Sequence, residues 1–377
     1  MGSSLLLRLN TRPPFLSSLT SNFFRTRSFP RVAGVRTFCT SKVENQGLRI
    51  LFFGTDNFSL ASLKRLVEYK KKTPDGFIKS LDVVTPPDQR RGRGLKIIQK
   101  APLKIYAEEE GLSVFHPPPK TMKGWEMPKP TQDPTGSFDL GVVVSFGYFL
   151  PSRILRSFTK GAVNVHPSLL PKYRGASPIQ YAILNGDEET GVSIMELHEE
   201  IFDAGRILKQ VKVPMPKEPF YHEMEAYLGE VGSKALFETV SNFEENKRNA
   251  LSQDISKVTL APKISKEMAL IDWKEQSAEE IYRRFRAIGA KFPLTSTFRD
   301  SAIQLMNIRM VEPSADISDA CPGTIILDRA SHSIQVVCKE GTMIQCDMVK
   351  LENKKACSAK DFINGYNILN GQTRFAN

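Results

Sequence analysis

An amide and an imidazole two residues apart, Asn164 and His166, are the side chains best placed to do chemistry in this chain. They open the stretch Asn164-Val165-His166-Pro167-Ser168-Leu169-Leu170-Pro171. An amide N–H can hold a developing oxyanion, and an imidazole can do the same or move a proton. Ala162, Asn164 and His166 alternate with Val163 and Val165, so the two polar groups project from one face of a strand. Pro167 and Pro171 cannot donate to a ladder, and the strand is expected to stop just after His166. That puts the pair at a strand's carboxyl end, where open α/β sheets bind ligands. The alternative is a hydrogen-bonded interior histidine beside a turn asparagine. Downstream, Asp203 precedes Ala204-Gly205 in a loop, where an aspartate by default serves a turn.

The surrounding elements read as strands alternating with helices. Leu48 to Gly54, Leu81 to Thr85, Asp139 to Phe146, Val192 to Leu197 and Ile207 to Val213 have the apolar, β-branched character of sheet strands. Asp56 or Asn57 can cap a helix carrying Leu60, Leu63 and Leu66. Ser177-Pro178-Ile179-Gln180 reads as a capping box, and Ser277-Ala278-Glu279-Glu280 as a second, with Arg283, Arg284 and Arg286 mostly outward on the helix that follows. Between Pro86 and Lys96 two prolines and two glycines argue against a regular element and hold Arg90, Arg91, Arg93 and Lys96 on a loop suited to phosphate contacts, or simply to solvent.

After residue 256 the pattern changes to short strands around one helix, as in a small barrel of the OB type. The expected fold is therefore α/β, a Rossmann-like domain with a mainly parallel sheet over 47–241, a linker over 242–256 and a smaller OB-like β-barrel over 257–377. No Gly-x-Gly-x-x-Gly fingerprint or phosphate-binding loop ending in Lys-Ser/Thr occurs, which excludes the usual NAD and ATP motifs. Cys321, Cys338, Cys346 and Cys357 form no CxxC pair, so neither a zinc site nor a disulfide framework is expected.

Residues 1–40 have a different composition. Up to Lys42 the chain carries seven basic residues, seven serines and no carboxylate, the profile of a mitochondrial transit peptide with a cleavage point near residue 38. Setting those seven cations aside lowers the formal charge from +11 to +4, so bulk basicity says little about nucleic acid. No apolar run reaches membrane-spanning length, and no membrane partner is expected.

These motifs together resemble the formyltetrahydrofolate-dependent formyltransferases. The resemblance rests on Ile50 to Thr55, Gly92-Arg93-Gly94, Gly147-Tyr148 to Pro151, Asn164-Val165-His166 with Ser168-Leu169-Leu170-Pro171, Tyr173 to Gln180, Gly191 to Met195, Asp203-Ala204-Gly205, Lys263 to Lys266 and Ile271-Asp272-Trp273. It implies that Asn164, His166 and Asp203 are catalytic and that 10-formyltetrahydrofolate is the donor, without a metal. It places Ser168, Leu169, Leu170 and Pro171 against the folate, with Gly147, Tyr148 and Phe149 nearby. The basic loop, through Arg93 with Arg90, Arg91 and Lys96, and the second domain imply an initiator methionyl-tRNA partner, formylated on its methionine α-amine in the mitochondrial matrix by a monomer. A folate-dependent formyltransferase or hydrolase acting on a small molecule is the alternative. Two stretches depart from the family pattern: Lys120 to Gly136, and Gly289 to Pro293, where relatives carry Asn-Pro-Trp-Pro.

Overall fold

A computed structural model describes residues 47–91, 94, 96–313 and 320–376. The expected transit peptide and Arg93 lie outside the described residues. Strand β1 (Leu48–Gly54) is almost wholly buried, because both faces of its apolar run are covered. Helix α1 (Asn57–Lys72) follows, capped by Asp56, whose carboxylate accepts the Ser59 N–H at 3.1 Å. Then come β2 (Ile78–Val84), the short strands β3 (Gln89–Arg91) and β4 (Ile97–Gln99), α2 (Pro102–Glu109), β5 (Val114–Phe115) and β6 (Leu140–Val144). The α/β half continues through α3 (Ser152–Leu155), β7 (Ala162–His166), α4 (Pro178–Leu184), β8 (Glu189–Glu196), β9 (Ile207–Pro214), α5 (Tyr221–Ser241) and α6 (Phe243–Arg248).

Seven strands form one sheet in the order β5-β2-β1-β6-β7-β8-β9. The first five are parallel, and β8 and β9 add antiparallel pairs at one edge. The chain builds outward from β1 to β2 and β5, then returns to lay β6 and β7 on the other side of β1. The reversal falls between β1 and β6, and open sheets of this kind bind ligands at the carboxyl ends of the strands around such a point. The expected Rossmann-like, mainly parallel sheet is present.

The remaining residues form the smaller β domain. Thr295–Phe298, Ser301–Met306, Met348–Leu351 and Cys357–Ser358 make one antiparallel sheet. Arg309–Val311, Met343–Cys346, Ser333–Val337 and Ile325–Asp328 make another. Helix α7 (Ala278–Ile288) starts from the expected Ser277 and Glu280 capping box. One continuous apolar core runs from Leu48 and Phe52 through Leu236 to Trp273, Ile344 and Phe375, so the two halves share buried surface.

Three local expectations are corrected. The Pro86 to Lys96 stretch is not irregular throughout, because β3 and β4 pair as an antiparallel hairpin with Gln89 opposite Gln99 and Arg91 opposite Ile97. Gly94, at φ +74°, sits between the paired strands. Ser177 does not cap α4 through its side chain; its hydroxyl instead accepts the Ile264 N–H at 3.3 Å. Arg286 points inward, 8% exposed, because its guanidinium donates to the Pro219 carbonyl at 2.9 Å across the junction with the first domain.

Candidate active site

Strand β7 pairs with β6 on one side and β8 on the other, with Asn164 opposite Met195 and His166 opposite Ser193. Both neighbours fix its register, and the pleat turns Asn164 and His166 to one face, as the alternation predicts. His166 is buried, whereas Asn164 is half-exposed between the buried Val163 and Val165. Among the described residues no protein group is hydrogen-bonded to the Asn164 amide. The imidazole is held firmly: its Nε2 lies 2.9 Å from the Tyr173 carbonyl oxygen. A carbonyl only accepts, so Nε2 carries the proton and Nδ1 faces the site.

Asp203 faces that nitrogen, with Oδ1 3.8 Å from His166 Nδ1 and both side chains largely buried. The gap is too wide for a hydrogen bond and close enough to bias the imidazole electrostatically. Its other oxygen, Oδ2, accepts the Gly175 N–H at 2.8 Å. Asp203 sits at φ +54°, in the left-handed region that aspartate tolerates better than most residues. The strain is held in place by Gln253, whose amide donates to the carbonyls of Asp203 and Gly205 at 2.8 Å each. The Gln253 oxygen in turn accepts from Arg174 Nε at 3.0 Å and from a second guanidinium nitrogen at 2.7 Å.

Gln253 belongs to the segment expected to be a linker. That segment carries α6, bridges Leu251 to Ile207, and then runs beside the loop after β7, with Arg174 donating its N–H to Thr259 and Ala261 donating to Arg174. Gly175 makes this close approach possible: at φ +125° any Cβ would sit 2.6 Å from the Ala261 carbonyl oxygen.

The Ser168 to Pro171 loop is equally tied down. Ser193 donates its hydroxyl to the Ser168 carbonyl at 2.7 Å and accepts the Leu170 N–H at 3.1 Å. Gln210 donates to the Leu170 carbonyl at 3.0 Å and to Ser193 Oγ at 2.8 Å. Ser168 and Leu170 are buried, while Leu169 and Pro171 remain partly open. Beyond the neighbouring β6, Gly147 and Phe149 are exposed and Tyr148 is half-buried. Phe149 meets Phe202 edge to face with ring centroids 5.0 Å apart, yet the two are 42% and 64% exposed. Two large rings left in water beside Asp203 form an apolar surface that a bound aromatic group would cover.

The structure thus brings Asn164, His166 and Asp203 to one end of the sheet, with the Ser168 loop on the same strand and Phe149 tied to the Asp203 loop through Phe202. The cationic residues form a separate group on the β3 and β4 hairpin, where Arg90 and Lys96 are exposed and Arg91 pairs with Ile97. Lys104 is not available there, because it pairs with Asp88 at 2.9 Å, and Lys100 pairs with Glu108 at 2.9 Å. Sequence reading missed Gln253, Ser193 and Gln210. They act on backbone groups far along the chain and carry no local pattern.

The α/β sheet, its reversal of strand order and the smaller β domain have counterparts in known proteins. Residues 48–240 match the family described as formyl transferase, and residues 263–367 match the formyl transferase C-terminal domain. The chain belongs to the formyl transferase family and is a formyl-transferring enzyme. Its relatives include the mitochondrial methionyl-tRNA formyltransferase of Homo sapiens, 36% identical over 84% of this chain and 77% of that one. The methionyl-tRNA formyltransferase of Coxiella burnetii (strain RSA 331 / Henzerling II) is 32% identical over 87% of this chain and 99% of its own length.

Among solved structures, a Helicobacter canadensis N-formyltransferase in complex with folinic acid and dTDP-3-aminofucose matches with TM-score 0.53 and 17% identity, over 79% of this chain and 98% of that one. HypX from Aquifex aeolicus in complex with tetrahydrofolic acid matches with TM-score 0.53 and 16% identity, over 85% of this chain. This chain spans only 47% of HypX. At these identities the two structures share its fold.

Proposed function

We propose that this enzyme transfers the formyl group of 10-formyltetrahydrofolate to the methionine α-amine of initiator methionyl-tRNA, in the mitochondrial matrix, to start translation there. The reading is carried by the convergence of Asn164, His166 and Asp203 at the carboxyl end of the sheet. The residues around them suit a folate: a fixed Ser168 to Pro171 loop on one side and the exposed Phe149 and Phe202 rings on another. When bound, the folate supplies an activated formyl carbon on a nitrogen leaving group.

The chain's own groups supply the rest. The Asn164 amide donates to the formyl oxygen as negative charge develops there. His166, anchored through Nε2, offers a second donor to the same oxygen once Nδ1 is protonated. Asp203 stabilises that imidazolium, takes the proton of the attacking amine directly or through one water, and returns it to the departing nitrogen. No covalent bond to the enzyme is required. In this reading 47–241 is the catalytic domain, 242–256 the connection and 257–377 the part that holds the flank of the tRNA. Arg90, Arg91, Arg93 and Lys96 contact acceptor-arm phosphates. The enzyme acts as a monomer and is directed to the organelle by residues 1–40, a reading supported by its basic, carboxylate-free composition and by the mitochondrial relatives.

The test uses protein from residue 39 onward with labelled formyl donor and charged initiator tRNA, elongator tRNA, free methionine or glycinamide ribonucleotide. Label should accumulate on initiator methionyl-tRNA. Preferential transfer to a small amine, or release of free formate, would reject the assignment.

A further inference from the structure

A pocket of about 130 Å³ lies at the foot of the β3 and β4 hairpin, beside the carboxyl end of β1. Its walls come from Thr55 just after β1, from Pro86 and Pro87 after β2, and from Ala101 and Pro102 where α2 begins. Pro86 is buried and the other four are half-buried. The three prolines restrict the backbone around the space, so its shape is set before anything enters. Thr55 is held as well: its hydroxyl donates to the Phe146 carbonyl at 3.2 Å, and its N–H to Ser59 Oγ at 3.0 Å. Gln89 and Gln99, the facing pair at the base of the hairpin, also line it.

Size, charge and position limit the occupant. A cavity of about 150 Å³ accepts a single benzene ring, so this pocket takes a group of that order and refuses a nucleoside or a pterin. Its two charged lining residues are committed elsewhere: the Asp56 carboxylate accepts the Ser59 N–H at the start of α1, and Lys100 pairs with Glu108 at 2.9 Å. The proline and alanine walls suit an uncharged, largely apolar chain. None of the lining residues belongs to the Ser168 to Pro171 loop or the Gly147 to Phe149 turn, so the pocket is separate from the surface assigned to the folate. Across the sheet, Phe53 of β1 lies level with Val143 of β6, and Val143 with Asn164 of β7. Two strand spacings amount to about 10 Å. An amine attacking a formyl group held by Asn164 already stands part of the way along that gap, and a long unbranched side chain covers the remainder.

We infer that this pocket receives the side chain of the amino acid being formylated, and that its proline and alanine walls select the unbranched thioether of methionine by size and by lack of charge. The inference rests on the tRNA reading given above and adds the residues that choose the amino acid. The acceptor arm lies along the hairpin, the α-amine reaches Asn164 and Asp203, and the side chain between them turns into the gap bounded by Thr55, Pro87 and Ala101. An apolar pocket of fixed shape discriminates by about 10–200-fold for one missing methylene. A charged side chain is refused because it would be desolvated there without a partner.

Initiator tRNA of one sequence, charged in turn with methionine, norleucine, alanine or glutamate, keeps every RNA contact constant and varies only the side chain. With protein from residue 39 onward, kcat/KM should be similar for the methionyl and norleucyl acceptors and at least roughly tenfold lower for the alanyl and glutamyl ones. Ala101→Leu fills the pocket and should lower the ratio of methionyl to alanyl kcat/KM by about tenfold or more. Ala101→Val adds less bulk, should lower the ratio by a smaller factor, and serves where leucine disturbs the fold. Equal kcat/KM for all the acceptors in the unmodified enzyme overturns the pocket's role while leaving formyl transfer to the tRNA intact. So does an Ala101→Leu enzyme that loses methionyl and alanyl transfer by the same factor, and an equal rise in KM for both gives the pocket to the terminal sugar of the tRNA instead. Transfer to none of the acceptors by the unmodified enzyme rejects the tRNA reading itself, and the pocket's role with it.

Discussion

His166 and Asp203 face each other across 3.8 Å, one fixed by the Tyr173 carbonyl and the other by the Gly175 N–H. Each side chain has one polar atom committed to the backbone and one left toward the site. The geometry separates holding from chemistry, so a substitution can remove one and spare the other. Asp203→Asn keeps an oxygen for Gly175 and loses the negative charge. Single-turnover formyl transfer should fall by about a hundredfold or more, with the thermal midpoint nearly unchanged. Asn164→Ala and His166→Ala should slow the same step by a similar factor. A near-normal rapid-quench rate in any of the three removes that residue from the mechanism.

Gln253 reaches the site only through Asp203, Gly205 and Arg174, and so it is a positioning residue. In Gln253→Ala the Asp203 turn loses its support, and kcat should fall by roughly tenfold with a smaller change in donor KM. Stability should drop by about 1–3 kcal/mol, because two hydrogen bonds from the charged Arg174 guanidinium are lost along with two to carbonyls. Gln253→Glu retains an oxygen for Arg174 but cannot donate. It should recover only the part of the stability that the Arg174 bonds contribute and leave kcat low. If kcat in Gln253→Ala stays normal while stability falls, the residue is structural only.

These two cases mark what could be read in the chain. Asn164 and His166 were legible because a strand's alternation places side chains by local rule, and the prolines after them mark its end. The parallel sheet was legible from a different signal, continuous apolar runs such as Leu140 to Val144, as expected of strands covered on both faces. The β3 and β4 hairpin was not: three-residue strands flanked by prolines carry too little pattern, and pairing decides them. Gln253 was invisible because its stretch is polar and its partners lie far back in the chain. Ser177 shows the converse, a correct helix start whose expected cap was diverted by a tertiary contact with Ile264.

Asp139, just before β6 in the middle of the sheet, should make stability depend on pH. Burial pushes its carboxyl up, but bonds from the Arg49 guanidinium at 2.9 and 3.0 Å, the Arg49 N–H and Thr159 outweigh this and hold it below the usual aspartate range. A carboxyl lowered by folding contributes stability that is complete above its unfolded value and is lost as pH falls through the folded one. Asp139→Asn should therefore cost about 1–3 kcal/mol in urea denaturation near neutral pH. The gap to the unmodified enzyme should close below roughly pH 4. A gap that stays constant down to acid pH would show that the Arg49 charge pairing contributes nothing.

The β3 and β4 hairpin projects cations from short paired strands, with Ile97 and Ile98 also 63% and 58% exposed. Exposed apolar and cationic groups on one hairpin fit an RNA surface, where phosphates meet the charges and bases or sugars cover the isoleucines. Each phosphate contact released makes binding less steep in salt, by close to one unit of the logarithmic slope. Arg93→Ala should raise the KM for initiator tRNA and flatten that slope, with donor KM unchanged. Lys104→Ala provides the contrast, since that lysine is 11% exposed and already paired with Asp88. It should leave the salt slope as it was. Equal slopes for Arg93→Ala and the unmodified enzyme, measured from low to high salt, would separate the hairpin from the tRNA.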